Sequence, residues 1–538
     1  MIFTLLASLL GGLGLFLHGM ATLTGGLKMA AGNSLREILK KWTHPLYKGV
    51  ISGFSITALV QSSSAVTVAV IGFVNAGIMD LSRSVGVIYG SNIGTTITGW
   101  LVTAIGYSVH IKSLALPLIG IGMFMSIIGK KGRKAHLGQA LVGFGLFFLG
   151  IDLLQEGFSS LGQGFNLTAI ASGHIWTIPA FVGIGFLLTL IMQSSSGAMA
   201  VVLTAATGEM IGMESAAAAV IGTNIGTTST AAISVIGATS NAKKVALAHI
   251  IFNVVTGGIA LMLLPILLRM VGLIQTHIAV ASGAAGTLAL FHTTFNILGL
   301  LIMWPLTSRL VNFLETKIGH ETASSPKYLD STLINAPNLA LDALAMELER
   351  IGRKTREILR DVLFGEEKKF SSQTKLEISE LIKACQAYSL NIQQYENTPT
   401  VSSRIPVALR VTQYYRTIED AIQEIHEMQV LLPRMPDEKV RAEVNNFLEE
   451  CRYILQIADQ PCSDEFADAD NKLQKLTKVY HQLKRALLDA GAQNRMDISL
   501  MVQFLDYYSL INQTLDRTLK AAAYWLELRT EEEACKSH

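Results

Sequence analysis

Two short polar motifs interrupt apolar stretches within the first 313 residues of this chain, and each of them occurs twice. Gln-Ser-Ser-Ser stands at 61–64 and again at 193–196, which is 132 residues later. Gly-x-Asn-Ile-Gly-Thr-Thr stands at 90–96 and again at 222–228, with the same offset of 132 residues. Two motifs that recur with one shared offset indicate an internal duplication in which each copy carries the same polar groups.

These motifs contain groups that bind small ions in a dry environment. Where an apolar helix is broken, the N-terminus of the next half-helix presents free N–H groups and a positive dipole end, which suit an oxyanion. Hydroxyl, amide and carbonyl oxygens suit a hard cation such as sodium. Thr95 and Thr98 lie three residues apart, as do Thr227 and Thr230, so each pair shares a helix face. The motifs therefore favour a site for an oxyanion together with sodium.

A purely structural role is the alternative for these motifs, because Ser and Gly in membrane helices often only permit close packing and interhelical hydrogen bonds. Four such stretches, paired by a repeat, favour a binding site, since polar residues in hydrocarbon require a partner or a function. No Lys or Arg lies near the middle of the motifs. A divalent oxyanion would therefore be neutralised by dipoles, hydroxyls and bound cations, which would couple its uptake to sodium.

Two related elements lie in later apolar stretches. His249 and Asn253 stand one helical turn apart, and so do His292 and Asn296. A hydrogen bond between helices is the favoured interpretation of both elements.

Composition and charge indicate the domains that must position these motifs. Of the 538 residues, 50% are hydrophobic and only 16% are charged, whereas soluble proteins have about 25% charged residues. Residues 1–313 hold 15 Lys and Arg and 6 Asp and Glu, while the remaining residues hold 28 and 35. The chain is therefore predicted to have a membrane domain at 1–313, a linker at 314–336 and a water-soluble domain at 337–538.

The membrane domain is predicted to be helical throughout. Two stretches, 49–77 and 181–208, are polar in the middle, too long for one span and too short for two. They are predicted to form re-entrant hairpins, because irregular backbone at membrane depth needs a lining of protein or water. The stretches expected to cross the bilayer as single helices are 2–27, 84–104, 111–129, 137–157, 216–238, 245–268 and 286–312.

Positive charge sets the predicted orientation, because Lys and Arg that flank spans favour the cytoplasm. Such residues cluster within 28–48, at 130–134 and at 243–244. Placing them all inside requires both hairpins and puts the N-terminus outside and the C-terminal domain in the cytoplasm. Repeat 1, at about 1–130, and repeat 2, at about 137–312, then have inverted topology, which is typical of secondary transporters.

The C-terminal domain is predicted to be a soluble antiparallel helical bundle. Pro337 and Gly365 enclose a stretch with apolar residues at helical spacing. Further helical stretches follow at about 373–396, 404–431, 439–458, 465–490 and 496–528. Six helices of this length predict one or two antiparallel bundles.

The paired Gln-Ser-Ser-Ser and Asn-Ile-Gly-Thr-Thr motifs resemble those of the type II sodium–phosphate cotransporter family, over about residues 1–313. The C-terminal domain is similar, more weakly, to the PhoU family of phosphate-signalling proteins. The resemblance implies an all-α polytopic membrane protein that transports phosphate with sodium by alternating access. Electrogenic animal members of the family carry an Asp shortly after the first Asn-Ile-Gly-Thr stretch. Residues 104–109 of this chain contain no carboxylate, so the stoichiometry is left open.

The resemblance also implies roles for individual residues. Phosphate binding is expected of both serine motifs, at Gln61, Ser62, Ser63, Ser64, Ser194, Ser195 and Ser196. Sodium binding is expected of Gln193, Ser194, Asn224, Thr227, Thr228 and Thr230. The pseudo-symmetric residues of the first copy are Asn92, Thr95, Thr96 and Thr98. No catalytic residue, organic cofactor or metal other than sodium is expected.

Sodium-coupled transport of inorganic phosphate, without enzymatic activity, is the predicted function. The alternatives are a membrane-anchored scaffold that senses phosphate, a transporter of a different small oxyanion, and a hydrolase that uses one of the serines. The hydrolase is disfavoured because Ser196 lacks a partnered base and the turn typical of such nucleophiles. The predicted partners are phosphate, sodium and the bilayer of the cell (inner) membrane. A homodimer and a cytoplasmic regulator are further candidates, and nucleic acid is not expected.

Overall fold

The chain is helical in its described parts and forms two compact units, Met1–Gly319 and His320–His538. The fold class is all-α, as predicted, with no strand among the described residues. The boundary between the units lies inside the predicted linker 314–336, and a helix of the first unit extends to Lys317. The computed structural model describes residues 2–41, 45–75, 78–108, 111–129, 132–164, 176–236, 238–277, 283–318, 325–365, 372–395, 399–432 and 435–528.

The helices of the first unit are described here in chain order. They are α1 (Ile2–Lys41), α2 (Leu46–Val60), α3 (Ser63–Asn75), α4 (Leu81–Ser108), α5 (Ile111–Ile128), α6 (Arg133–Gly164), α7 (Thr177–Met192), α8 (Ser195–Thr207), α9 (Met213–Ser234), α10 (Ser240–Met262), α11 (Leu264–His277), α12 (Ala284–Met303) and α13 (Thr307–Lys317).

Four of the described helices are long and apolar enough to cross a membrane, which indicates a membrane protein. They lie at Ala7–Ala31 within α1, Arg133–Leu161 within α6, Ser240–Met262 and Ala284–Met303. Two further predicted spans, 84–104 and 216–238, coincide largely with α4 and α9 but are not among the four. Both helices carry a polar Gly-x-Asn-Ile-Gly-Thr-Thr motif in the middle, which lowers their hydropathy.

Each predicted hairpin is a pair of short helices that contact each other, α2 with α3 and α7 with α8. The break between the two helices falls on Gln61–Ser62 in the first pair and on Gln193–Ser194 in the second. At 1.5 Å per residue these helices are about 20–24 Å long, which is shorter than a bilayer core of about 30 Å. None of the four can cross a membrane alone, and their return to the same side stays a prediction.

The duplication is repeated in the packing of helix pairs. α2 packs on α4, and α7, its copy, packs on α9. A Cβ atom added to Gly53 would lie 2.0 Å from Val87 O, and one added to Gly185 would lie 2.0 Å from Ala219 O. Glycine is therefore required at the same point of both copies, because it lets the two backbones touch.

α1 and α6, which are copies of each other, pack along their length and run antiparallel. A Cβ atom added to Gly19 would lie 2.2 Å from Phe147 N, and one added to Gly150 would lie 2.4 Å from Phe16 N. Residue 16 thus faces 150 while residue 19 faces 147, which is possible only for antiparallel helices. The rings of Phe16 and Phe147 lie 5.0 Å apart between centroids, so equivalent residues meet at the centre of the pair.

The second unit contains six long helices, at the six places where the sequence predicts them. α14, α15 and α16 contact one another, α17, α19 and α20 do the same, and α16 packs along α20. The first of these helices begins at Pro337 and is followed by Gly365, as predicted. The bounds are α14 (Pro337–Phe364), α15 (Ser372–Tyr395), α16 (Pro399–Leu431), α17 (Glu438–Asp459), α18 (Asp464–Ala467, a single turn), α19 (Ala469–Ala492) and α20 (Ile498–Leu528).

Candidate functional site

The two glutamines of the serine motifs break their helices in the same way. Gln61 ends α2 with φ 55°, and Gln193 ends α7 with φ 51°, so both lie in the left-handed region. Each side-chain Nε2 donates to the carbonyl three residues earlier, at 2.7 Å to Ala58 O and 2.6 Å to Leu190 O. Non-glycine residues in this conformation are uncommon and concentrate at functional sites. The repeated break is therefore a structural feature of both copies.

The serines that follow begin the next helices. Ser62 Oγ accepts a hydrogen bond from Ala65 N at 3.3 Å, and Ser194 Oγ accepts one from Gly197 N at 3.1 Å. These bonds satisfy one free N–H group at the start of α3 and of α8, while other first-turn N–H groups have no partner within the helix. Each serine motif therefore forms a helix N-terminus with a positive dipole end.

Both N-termini meet in one cavity of about 240 Å³. Among the predicted site residues it is lined by Gln61, Ser62, Ser63, Ser64, Gln193, Ser194, Ser195, Ser196, Thr227 and Thr230. The two serine motifs, which lie 132 residues apart in sequence, are thus in contact with the same space. None of the described residues that line this cavity is Lys, Arg, His, Asp or Glu.

The remaining predicted residues are buried but lie outside the cavity lining. Asn92 Nδ2 donates to Ile88 O at 3.0 Å, and the hydroxyls of Thr95 and Thr96 donate to backbone carbonyls of α4. Thr228 is 9% exposed. Asn224 is 2% exposed and points its amide toward Asn253 Oδ1, at 3.5 Å. These side chains support the cavity from behind or hold helices together.

The two copies differ at one pair of residues. Thr98 Oγ1 donates to Gln61 Oε1 at 2.7 Å, and Gln61 is only 8% exposed. In the second copy Thr230 Oγ1 donates to Thr227 O at 2.8 Å, and Gln193 is exposed. The second copy therefore keeps the oxygens of Gln193 and Thr230 at the cavity surface, while the first copy closes the equivalent pair.

Sequence reasoning missed part of the lining. α1 contributes Leu17, Met20, Ala21 and Thr24, and α7 and α8 add Thr189, Met192 and Gly197. Thr189 could have been found, because Thr57 and Thr189 match across the duplication. The apolar residues of α1 carry no signal that separates them from other lipid-facing or packed residues.

The predicted bond between helices is observed for the first His-x-x-Phe-Asn element. His249 Nε2 lies 3.4 Å from Asn92 Oδ1, and Asn253 Nδ2 donates to Thr227 Oγ1 at 2.6 Å. In the second element, Asn296 Nδ2 donates within its own helix to His292 O at 2.9 Å.

Comparison with known proteins agrees with this site. The Na+/Pi-cotransporter family model matches residues 15–156. Over 466 residues the chain is 26% identical to YjbB of Salmonella typhimurium, named a candidate inorganic phosphate export protein, with 84% of each chain covered. Over 97 residues it is 34% identical to sodium-dependent phosphate transport protein 2A of Rattus norvegicus, covering 18% of this chain and 15% of that protein.

A third relative extends the similarity over most of the membrane domain. The chain is 33% identical over 306 residues to the uncharacterized protein YqeW of Bacillus subtilis, and this covers 56% of the chain and 94% of YqeW. No solved structure gives a significant match. The duplicated motifs, the shared cavity and these relatives together establish that the chain belongs to the Na+/Pi-cotransporter family.

Proposed function

We propose that this chain moves inorganic phosphate across the cell membrane and couples that movement to sodium. The family and the relatives named for phosphate transport support phosphate as the substrate. The observation that carries the proposal is the meeting of two serine-capped helix N-termini in one cavity whose described lining has no cationic side chain.

Phosphate would lie between the two serine turns. The hydroxyls of Ser63, Ser64, Ser195 and Ser196 and the first-turn N–H groups of α3 and α8 are the donors that line this space. Two helix N-termini together supply about one positive charge, which is less than a divalent oxyanion carries. A dry site of this kind would hold phosphate weakly unless another cation entered with it.

Sodium would supply the missing charge from the side of the second copy. Gln193, Ser194, Thr227 and Thr230 line the cavity there with amide and hydroxyl oxygens, which are ligands that hard cations prefer. Because the cation and the anion attract each other inside a low-dielectric site, each would increase the affinity for the other. This mutual dependence is the physical basis proposed for coupling.

Alternating access would follow from the duplication. The antiparallel packing of α1 against its copy α6 and the matching pairs α2–α4 and α7–α9 support two halves of inverted topology. Both halves contribute to the cavity, so a movement of one half against the other would expose phosphate first to one side and then to the other.

The second unit is proposed to regulate this transport from the cytoplasm. All residues that line the cavity belong to the first unit. The residues after 313 hold 28 Lys and Arg against 35 Asp and Glu, and a net negative surface is unfavourable for binding a free oxyanion. The PhoU-like bundle would therefore act on the transporter and not on phosphate in the cavity.

Net export is a second candidate for the direction of transport, since the relatives from Salmonella typhimurium and Escherichia coli are named for phosphate export. The same cavity serves both directions, because the gradients of sodium and phosphate decide the net flux. Purified full-length protein in lipid vesicles, with labelled phosphate inside or outside, tests both. Flux that requires sodium supports the coupling, whereas equal flux in potassium or choline would refute it.

A further inference from the structure

One turn of α10 contacts the Gly-x-Asn-Ile-Gly-Thr-Thr motifs of both copies. His249 Nε2 lies 3.4 Å from Asn92 Oδ1 in the first copy. Asn253, on the next turn, donates from Nδ2 to Thr227 Oγ1 at 2.6 Å and lies 3.5 Å from Asn224 Nδ2 in the second copy. Only Thr227 of these residues lines the cavity.

The direction of the hydrogen bonds around Thr227 is fixed by its single hydroxyl hydrogen. Thr227 Oγ1 lies 2.6 Å from Asn224 O, which can only accept, so the hydroxyl donates there. It must then accept from Asn253, which places the amide nitrogen of Asn253 toward Thr227 and its oxygen toward Asn224. Asn253 is 0% exposed, so water does not compete for these groups.

This arrangement leaves Thr227 with one lone pair for a ligand. A hydroxyl has one hydrogen and two acceptor lone pairs; the hydrogen goes to Asn224 O and one lone pair to Asn253. We propose that Asn253 is a positioning residue for sodium, which holds the Thr227 hydroxyl so that its remaining lone pair faces the cavity. This inference rests on the proposed sodium coupling and adds a residue that does not itself touch the ion.

The second His-x-x-Phe-Asn element offers a matched control. Asn296 is also 0% exposed and also follows a histidine by four residues. Its Nδ2 donates to His292 O in its own helix and not to a threonine of the cavity. Asn253→Leu and Asn296→Leu therefore remove the same group from equally buried sites, but only the first change releases Thr227.

The test is the sodium dependence of phosphate flux in vesicles that contain the full-length chain. Asn253→Leu should raise the sodium concentration for half-maximal flux by roughly three- to tenfold, the effect of losing one hydrogen bond. The half-saturating phosphate concentration at saturating sodium should change less than twofold. Asn296→Leu should leave the sodium requirement unchanged, even if it lowers the melting temperature as much as Asn253→Leu does.

A double mutant separates action through Thr227 from a general loss of packing. Thr227→Val should raise the sodium requirement, and adding Asn253→Leu to it should raise it no further, because the group that Asn253 positions is already absent. Asn253→Ala repeats the test if the leucine variant fails to fold. Multiplicative effects in the double mutant, or an unchanged sodium requirement in a wild-type background that does depend on sodium, would overturn the assignment of Asn253. Sodium-independent flux of the wild type would instead refute the proposed coupling, and this inference with it.

Discussion

Thr98 Oγ1 donates a 2.7 Å hydrogen bond to Gln61 Oε1, whereas the corresponding threonine of the second copy, Thr230, donates its hydrogen to Thr227 O. The first copy therefore satisfies its glutamine within the protein. The second copy leaves Gln193 and Thr230 at the cavity, where a cation can use their oxygens. Residues of the same type thus have a structural role in one half and a proposed binding role in the other.

Substitution of the two threonines should separate these roles. Thr98→Val leaves Gln61 Oε1 buried without its donor and should destabilise the protein by about 1–3 kcal/mol, seen as a lower melting temperature in detergent. Thr230→Val should change the melting temperature less but raise the sodium concentration needed for half-maximal flux. If Thr98→Val shifted the sodium requirement more than Thr230→Val, the division between the copies would be wrong.

The two glutamines give a second pair of variants. Gln193→Ala removes an amide oxygen proposed to bind sodium and should raise the half-activating sodium concentration by about tenfold, since hydrogen bonds to charged groups contribute about 1.5–3 kcal/mol. Gln61→Ala should instead raise the half-saturating phosphate concentration. Both values come from phosphate uptake measured over a range of sodium and phosphate concentrations. An unchanged sodium requirement in Gln193→Ala would exclude this residue as a ligand.

Glycine substitutions on α7 test the packing that holds the second serine motif. A Cβ atom on Gly185 would lie 2.0 Å from Ala219 O, whereas one on Gly183 would have no atom within 4 Å. Gly185→Ala should force α7 away from α9 and cost at least about 1–3 kcal/mol of stability, with a loss of flux. Gly183→Ala should leave the melting temperature and the flux near wild type. Equal tolerance of both changes would contradict the observed helix contact.

The sequence predicted the serine motifs as one site because the duplication marked them as a pair. It could not predict the asymmetry of Gln61 and Gln193, since both copies contain the same Gln and Thr residues and the difference arises from tertiary packing. The contribution of Leu17 and Met20 was equally hidden, because apolar residues on a membrane helix look alike whether they face lipid, protein or a cavity.

Removal of the second unit should leave transport intact. The cavity is lined only by residues of the first unit, which ends at Gly319. A chain truncated after Gly319 should still carry sodium-dependent phosphate flux in vesicles, with a changed rate or a changed response to conditions on the cytoplasmic side. A truncated protein that inserts and melts cooperatively but transports nothing would show that the second unit takes part in transport itself.

The central claim is that sodium and phosphate occupy one cavity in which each compensates the charge of the other. Phosphate binding to the purified full-length protein, measured by calorimetry at increasing sodium with the ionic strength held constant by choline, tests it most directly. Phosphate affinity should rise with sodium, and sodium affinity should rise with phosphate by the same factor, as linkage requires. Phosphate affinity that is equal in sodium and in choline would contradict the claim.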